Sequence, residues 1–420
     1  MPTPTWETPP GPTRLTHIST TTHGDGIAET LRALTRTSPS AWATITADSE
    51  FHTFTGYLHQ LLHGSADPMT DDWLTRSAPH YRATLAPYAH WLTTQLAPGD
   101  TVVLHGIQTL GLAPVLSAAG LRTAWHCHAG TTEEDASGPA AVWRMFHDDL
   151  ASVDLVLSTL PEYAPKTVPM ARRRVISPAV DPHSLRNRPL STDEQDTLLA
   201  ELGLTLDQGL VEQDRPLPAE APMVLQLARW QRLKDMRGVL RAFPALPPHA
   251  HLVLAGNDPD ELPDDPDGWS VYEEVRELRA QLPVDIRRRV HLALLSTQDP
   301  VRSALTVNAL QRRADIVLQK SVAEGFGLAV TEAMLKGRAV VAADVGGLRQ
   351  QISPGHSGLL VDPHDVNALA SAVGTLLDDP LLRRRLGRGA AESVTRRYLM
   401  PRLVADYGRL TPSRSSREVA

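Results

Sequence analysis

Two glutamates, Glu324 and Glu332, stand with seven residues between them and enclose the run Gly325-Phe326-Gly327-Leu328. Ile316, Val317 and Leu318 before them suit a short buried strand, and apolar residues recur at helical spacing from Leu328 to Lys336. A strand, a glycine loop and a helix in that order direct several backbone N–H groups at one spot. The helix dipole adds partial positive charge there, so a phosphate can rest at the helix start. Neither glutamate suits the phosphate itself, because like charges repel. Both suit hydroxyl groups on either side of it, and a diphosphate between two polyols is a nucleotide sugar. An ordinary strand, loop and helix with solvated glutamates shows the same spacing, so this pattern alone leaves both readings open.

A second stretch asks for cations. Arg229 and Lys234, five residues apart, follow the apolar strand Met223 to Leu227. A departing nucleoside diphosphate gathers negative charge, and fixed Arg and Lys donors stabilise it as the bond breaks. Together the two stretches resemble the donor motifs of the retaining family-4 glycosyltransferases. The run Asp264-Asp265-Pro266-Asp267-Gly268-Trp269 narrows the resemblance to the nucleotide-sugar-dependent trehalose synthase and trehalose phosphorylase branch. Calcium binding is the other use of such an acidic run, but the spacing of an EF-hand is missing.

The resemblance covers about residues 15 to 410. It implies an α/β protein of GT-B architecture: two Rossmann-like, doubly wound parallel-sheet domains facing each other across a cleft. It also implies a hexosyltransferase that retains configuration, needs no metal or cofactor, and uses a nucleoside-diphosphate sugar as co-substrate. Arg229 and Lys234 would hold the diphosphate with the backbone of Gly325, Phe326, Gly327 and Leu328. Glu324 would contact the transferred sugar, Glu332 the ribose, and the turn at Gly256 the nucleoside. Gly24 and Gly26 would let the backbone approach the donor, while Asp25, where the trehalose-forming members have glycine, would face an acceptor hydroxyl.

Acceptor binding would fall to Gln108, His126 and His128, and His128 joins Arg229, Lys234 and Glu324 as a catalytic candidate. Gly106 and Ile107 replace the Asp and Pro of a His-Asp-Pro-Gln segment in trehalose synthases, which points to a changed acceptor. The run His126-Cys127-His128 also reads as metal ligands, yet residues this close on one strand need two more from elsewhere, so no metal is assigned.

Three rivals share the frame. A trehalose phosphorylase would use inorganic phosphate. An antibiotic-biosynthetic transferase would join the sugar to an aminocyclitol or a thiol. A nucleotide-sugar sensor would bind without turnover, against which the four retained charged residues argue. A nicotinamide dehydrogenase fits less well, for want of the three-glycine fingerprint.

The elements that must position these residues alternate strand and helix. Short strands are expected at Leu15 to Thr20, Trp42 to Thr46, Phe51 to Phe54, Thr101 to Leu104, Thr123 to His128 and Leu155 to Ser158. Helices are expected at Trp73 to Gln95, Val142 to Leu150 and Ser270 to Ala280. The domain reading is a loose Pro- and Thr-rich leader at 1–14, an acceptor domain at 15–204, a Pro-rich acidic hinge at 205–222, a donor domain at 223–395, and a C-terminal helix and tail at 396–420.

Composition bounds the rest. With 420 residues and 42% hydrophobic content, the chain has material for two or three cores of about 100 to 200 residues each. A net charge of −7 gives no reason to expect nucleic acid or an anionic membrane as partner. The lone Cys127 excludes an intramolecular disulfide and fits a reducing, cytoplasmic setting. Neither a secretory signal nor an uninterrupted apolar span is expected. The partners implied are a nucleotide sugar and a small-molecule acceptor, and a homodimer is compatible with the sequence.

Overall fold

The computed structural model describes residues 4–10, 14–20, 26–64, 71–131, 137–206, 211–262 and 267–411. The chain divides into two compact units, Met1–Ala179 with Met400–Ala420, and Val180–Leu399.

The first unit holds β1 (Thr5–Thr8), β2 (Leu15–Ser19), β3 (Ala41–Thr44), β4 (Thr101–His105), β5 (Arg122–Cys127), β6 (Leu155–Ser158) and β7 (Arg173–Val175), in the order β1-β3-β2-β4-β5-β6-β7. All pairs are parallel except β1 with β3. Residues alternate across this sheet between two apolar layers, as burial on both faces requires. Ile18, Val102, Leu104 and Trp125 face one layer with Phe51, Tyr81 and Phe146. Leu15, Val103 and Ala124 face the other with Leu31, Met400, Leu403 and Tyr407.

Three local expectations change here. Phe51 to Phe54, read as a strand, lies within the helix Ser49–Leu62: Asp48 caps it by accepting from Phe51 N, and Phe51, Phe54, Leu58, Leu61 and Leu62 are buried at helical spacing. A four-residue window was too short to separate the two periods. The helix read from Val142 to Leu150 is two, Ser137–Met145 and His147–Ser152, broken at the buried Phe146. Residues 5–8 of the supposed leader are an edge strand, held by pairing with β3, by Thr44 Oγ1 donating to Glu7 at 3.1 Å, and by Trp6 against Trp91.

The second unit holds β8 (Val211–Glu212), β9 (Met223–Leu227), β10 (His251–Asn257), β11 (Val290–Leu295), β12 (Ile316–Gln319), β13 (Ala339–Ala343) and β14 (Leu359–Val361), ordered β14-β13-β12-β9-β10-β11-β8. It too is parallel save for one edge, where β8 runs antiparallel to β11. Leu225, Val317 and Val340 face one layer; Val224, Ile316, Leu318 and Val341 face the other. The 205–222 segment, read as a hinge, contributes β8 to this sheet. Arg279, only 3% exposed, fastens it by donating to Asp214 at 2.7 Å and Glu212 at 3.3 Å.

The helix Met400–Gly408 returns to the first unit. Its Met400, Leu403 and Tyr407 are buried there, and Arg402 donates to the carbonyls of Ser177 and Pro178 at 2.7 Å. No helix among the described residues is long and apolar enough to cross a membrane.

Candidate functional site

In the second unit the chemistry gathers at the C-terminal ends of β9 and β12, which are neighbours in register. Open α/β sheets bind ligands at such ends. Gln226, the fourth residue of β9, staples the two following loops: its Nε2 donates to Lys234 O at 2.7 Å, and its Oε1 accepts from Lys320 N at 2.9 Å. Val322 N also donates to Leu233 O at 2.8 Å. The staple brings Lys234 and Glu324, separated by 90 residues, into an ion pair with Nζ 2.8 Å from both carboxylate oxygens. Glu324 Oε2 accepts further from Gln319 Nε2 at 3.1 Å and Ser321 Oγ at 3.0 Å, which compensates a carboxylate only 8% exposed.

The turn after Glu324 is held by backbone fit. Gly327 has φ +90°, where a side chain is strained, and caps the helix Leu328–Leu335. Gly347 lies so close that a Cβ there would stand 2.4 Å from Phe326 Cα. Gln351 Nε2 donates to Phe326 O, and Gln351 Oε1 accepts from Thr331 Oγ1 at 2.7 Å. Glu332, on the helix, is 6% exposed and faces Arg186 Nη1 at 3.4 Å. One turn on, Lys336 Nζ donates to Asn187 Oδ1 and Gln311 Oε1, each at 2.7 Å, and burial pushes its ammonium down to about 7.

Arg229 lies partly buried just beyond the end of β9. Gly256, in β10, is where that loop packs: a Cβ would meet Ala228 O at 2.4 Å. Lys320 and Asp235 were missed by sequence reasoning. Lys320, 2% exposed, donates to the Asp235 carboxylate and to Pro363 O at 2.8 Å, while Asp235 caps the helix Met236–Ala242 from a left-handed φ of 43°. A cation ending the apolar run Ile316 to Gln319 was the available signal. Asp264, Asp265 and Pro266 lie outside the described residues; Trp269 donates to Asp260 at 2.6 Å.

In the first unit Gly24 and Asp25 lie outside the described residues, and Gly26 opens the helix Gly26–Thr37. Gln108 is partly buried on the single-turn helix Ile107–Leu110, entered through Gly106 at φ +75°. Tyr81 secures this corner, donating to Ile107 O and accepting from Gly111 N, both at 2.8 Å.

His126 and His128 do not stand alone. His105 Nδ1 is 3.0 Å from His128 Nε2, His105 Nε2 is 2.9 Å from His17 Nδ1, and His126 Nδ1 is 2.7 Å from Tyr407 OH. Burial drives His17 and His128 down to about 3. It also holds His105 and His126 well below the usual imidazole range, with neighbouring histidines acting in the same sense and the backbone of Ile176 opposing weakly at His126. The four rings are neutral. Such a surface suits uncharged hydroxyls, thiols or a cation rather than an anion. His17 and Tyr407 carry no local signal in the sequence, since strand register and the returning helix bring them in.

Comparison with known proteins agrees with both halves. Residues 17–165 match the trehalose synthase N-terminal domain and residues 210–393 match glycosyl transferases group 1. The trehalose synthase of Rubrobacter xylanophilus is 31% identical, over 94% of this chain and 89% of its own. That of Pyrococcus horikoshii is 27% identical, over 93% and 88%. Among solved structures, the UDP-forming α,α-trehalose-phosphate synthase of Burkholderia xenovorans, in complex with glucose-6-phosphate, has a TM-score of 0.71 at 16% identity, covering 95% of this chain and 100% of that one. That likeness is one of fold, the two-sheet α/β architecture of the GT-B class. The chain therefore belongs to the group 1 glycosyl transferases, within the family whose first domain is that of trehalose synthase.

Proposed function

We propose that this protein transfers a hexose from a nucleoside-diphosphate sugar to a small acceptor with retention at the anomeric carbon, as a trehalose-synthase-like enzyme of the retaining family-4 type. The observation that carries the reading is the Lys234–Glu324 pair at 2.8 Å, set beside the glycine-capped start of the helix Leu328–Leu335. A lysine fixed by a bidentate carboxylate is already oriented when charge develops on the leaving diphosphate, so little reorganisation is needed at that moment. Arg229 supplies the second cation and the helix start supplies N–H donors. Glu324 retains acceptor capacity for hydroxyls of the transferred sugar, and Glu332 serves the ribose. The acceptor hydroxyl passes its proton to the departing diphosphate oxygen as the new C–O bond forms, and the diphosphate leaves with the old bonding pair. With Arg229 and Lys234 neutralising that group, diphosphate departure needs no divalent ion.

A second reading concerns the acceptor alone. Gly106 and Ile107 stand where an Asp and a Pro were expected, beside a face of neutral imidazoles. This favours an acceptor other than glucose, such as an aminocyclitol or a thiol of antibiotic biosynthesis. Thermal unfolding with UDP-, ADP- and GDP-sugars tests the donor: one of them should raise the melting temperature by mass action, and no shift with any would remove the proposal. With the donor known, glucose and alternative acceptors are told apart by product mass.

A further inference from the structure

Register places four imidazoles on one face of the first sheet. Val103 pairs with His17 across β4 and β2, and His105 with His126 across β4 and β5. Because side chains alternate, His17, His105, His126 and His128 all leave the sheet on the side of Val103 and Ala124, the layer that also holds Tyr407. Cys127 points to the opposite layer, with Sγ 3.0 Å from Ala129 O, and is no part of the set.

One ring nitrogen from each of His105, His126 and His128 lies within 4.8 Å of the other two. Two of these rings are supported from behind, as metal-binding histidines are: His105 by His17 at 2.9 Å and His126 by Tyr407 at 2.7 Å. His126 Nε2 is buried and has no hydrogen-bond partner of good geometry among the described residues, although the Ile176 backbone lies close to the ring. A buried polar atom left so is costly, and a bound ion relieves it.

We propose that His105, His126 and His128 form a site for a divalent transition ion of the zinc class, with His17 and Tyr407 as hydrogen-bonded supports and the fourth position open. Three imidazoles and no carboxylate select zinc, cobalt, nickel or copper over magnesium and calcium. Nitrogens 2.0 to 2.1 Å from a tetrahedral ion stand about 3.4 Å apart. The 3.0 Å between His105 and His128 must open by a few tenths of an ångström, and the wider separations, up to 4.8 Å, must close by at most about 1.4 Å as the rings turn toward the ion. The open position takes water, a hydroxyl or a thiolate. Along one strand only His126, Cys127 and His128 were visible; the third ligand comes from the strand beside it.

Chelator-stripped full-length protein titrated with Co2+ tests this. One equivalent should bind with the intense visible bands of a tetrahedral site, and X-ray absorption of the Zn2+-loaded protein should count three imidazoles. His105→Gln and His128→Gln should each weaken Co2+ binding about 100-fold or more, and Tyr407→Phe, which keeps all three ligands, about 10-fold. Binding that is unchanged in His128→Gln, the absence of a stoichiometric site in the parent chain, or fewer than three imidazoles around zinc would each overturn the proposal. The spectra of the parent chain decide the matter even where a core histidine variant fails to fold.

Discussion

At the strand ends of the second unit the polar groups are kept as ion pairs: Lys234 with Glu324, Lys320 with Asp235, Arg186 with Glu332. On one face of the first unit's sheet they are kept neutral, three imidazoles hydrogen-bonded in a row and a fourth bonded to a tyrosine. Both solve the cost of burying polar groups, by compensation in one case and by suppressing charge in the other. The difference teaches what each site can receive. A paired cation cluster can share its charge with an arriving anion, whereas neutral rings offer lone pairs and single protons to uncharged groups or to a metal.

The sharpest way to break this comparison is to remove charge from the second unit. Arg229→Ala and Lys234→Ala should each cost about 3 kcal/mol of transition-state stabilisation, a loss of about 10²-fold in kcat/KM. Each should also reduce the nucleotide-sugar thermal shift, and His128→Ala should slow transfer while leaving that shift intact. Unchanged turnover in Arg229→Ala would remove the charge assignment. Glu324→Gln should cost about 2 kcal/mol in kcat/KM, because Lys234 loses a charge-assisted partner. If it costs nothing, the pair is ornamental to catalysis.

Stability measurements sharpen the same contrast. Gly347→Ala forces a Cβ to 2.4 Å from Phe326 Cα and should destabilise by about 2 kcal/mol in urea unfolding. Burial drives Lys336, one turn beyond Glu332, toward neutrality, to about 7. Its unfolded value is about 10.4, so between pH 7 and pH 10 the unfolded chain binds more protons and stability rises with pH, by at most about 1.4 kcal/mol per unit. Below pH 7 the burial cost is fully present. Lys336→Met should flatten that rise, and a curve still climbing would place the titrating group elsewhere. The smallest effect is a control: Gly374, in the helix Val366–Asp378 with nothing within 4 Å of a Cβ, should gain about 0.5 to 1 kcal/mol as alanine.

Much of the second unit's candidate site was legible in sequence, because its signals are local. The strand, turn and helix from Ile316 to Leu335 announce themselves by apolar period and glycine, and the residues named there lie in the elements expected. Phe51 to Phe54 failed for the opposite reason, since four residues fit either period until Leu58, Leu61 and Leu62 are counted with them. The histidine face was half legible: alternation put His126 and His128 on one side of a strand, but nothing in the chain's order places His17 or His105 beside them.

By itself the amino-acid order determined the two α/β halves, the glycine turn at Gly325 to Gly327, and the charged residues flanking it, since periodicity and turn chemistry act over a few residues. Tertiary structure decided that Lys234 clasps Glu324 across 90 residues, that Gln226 staples their loops, and that the helix Met400–Gly408 carries Tyr407 back against His126. The physical reason is that pairing register and the burial of a distant helix depend on contacts between segments far apart in the chain, which no local window contains.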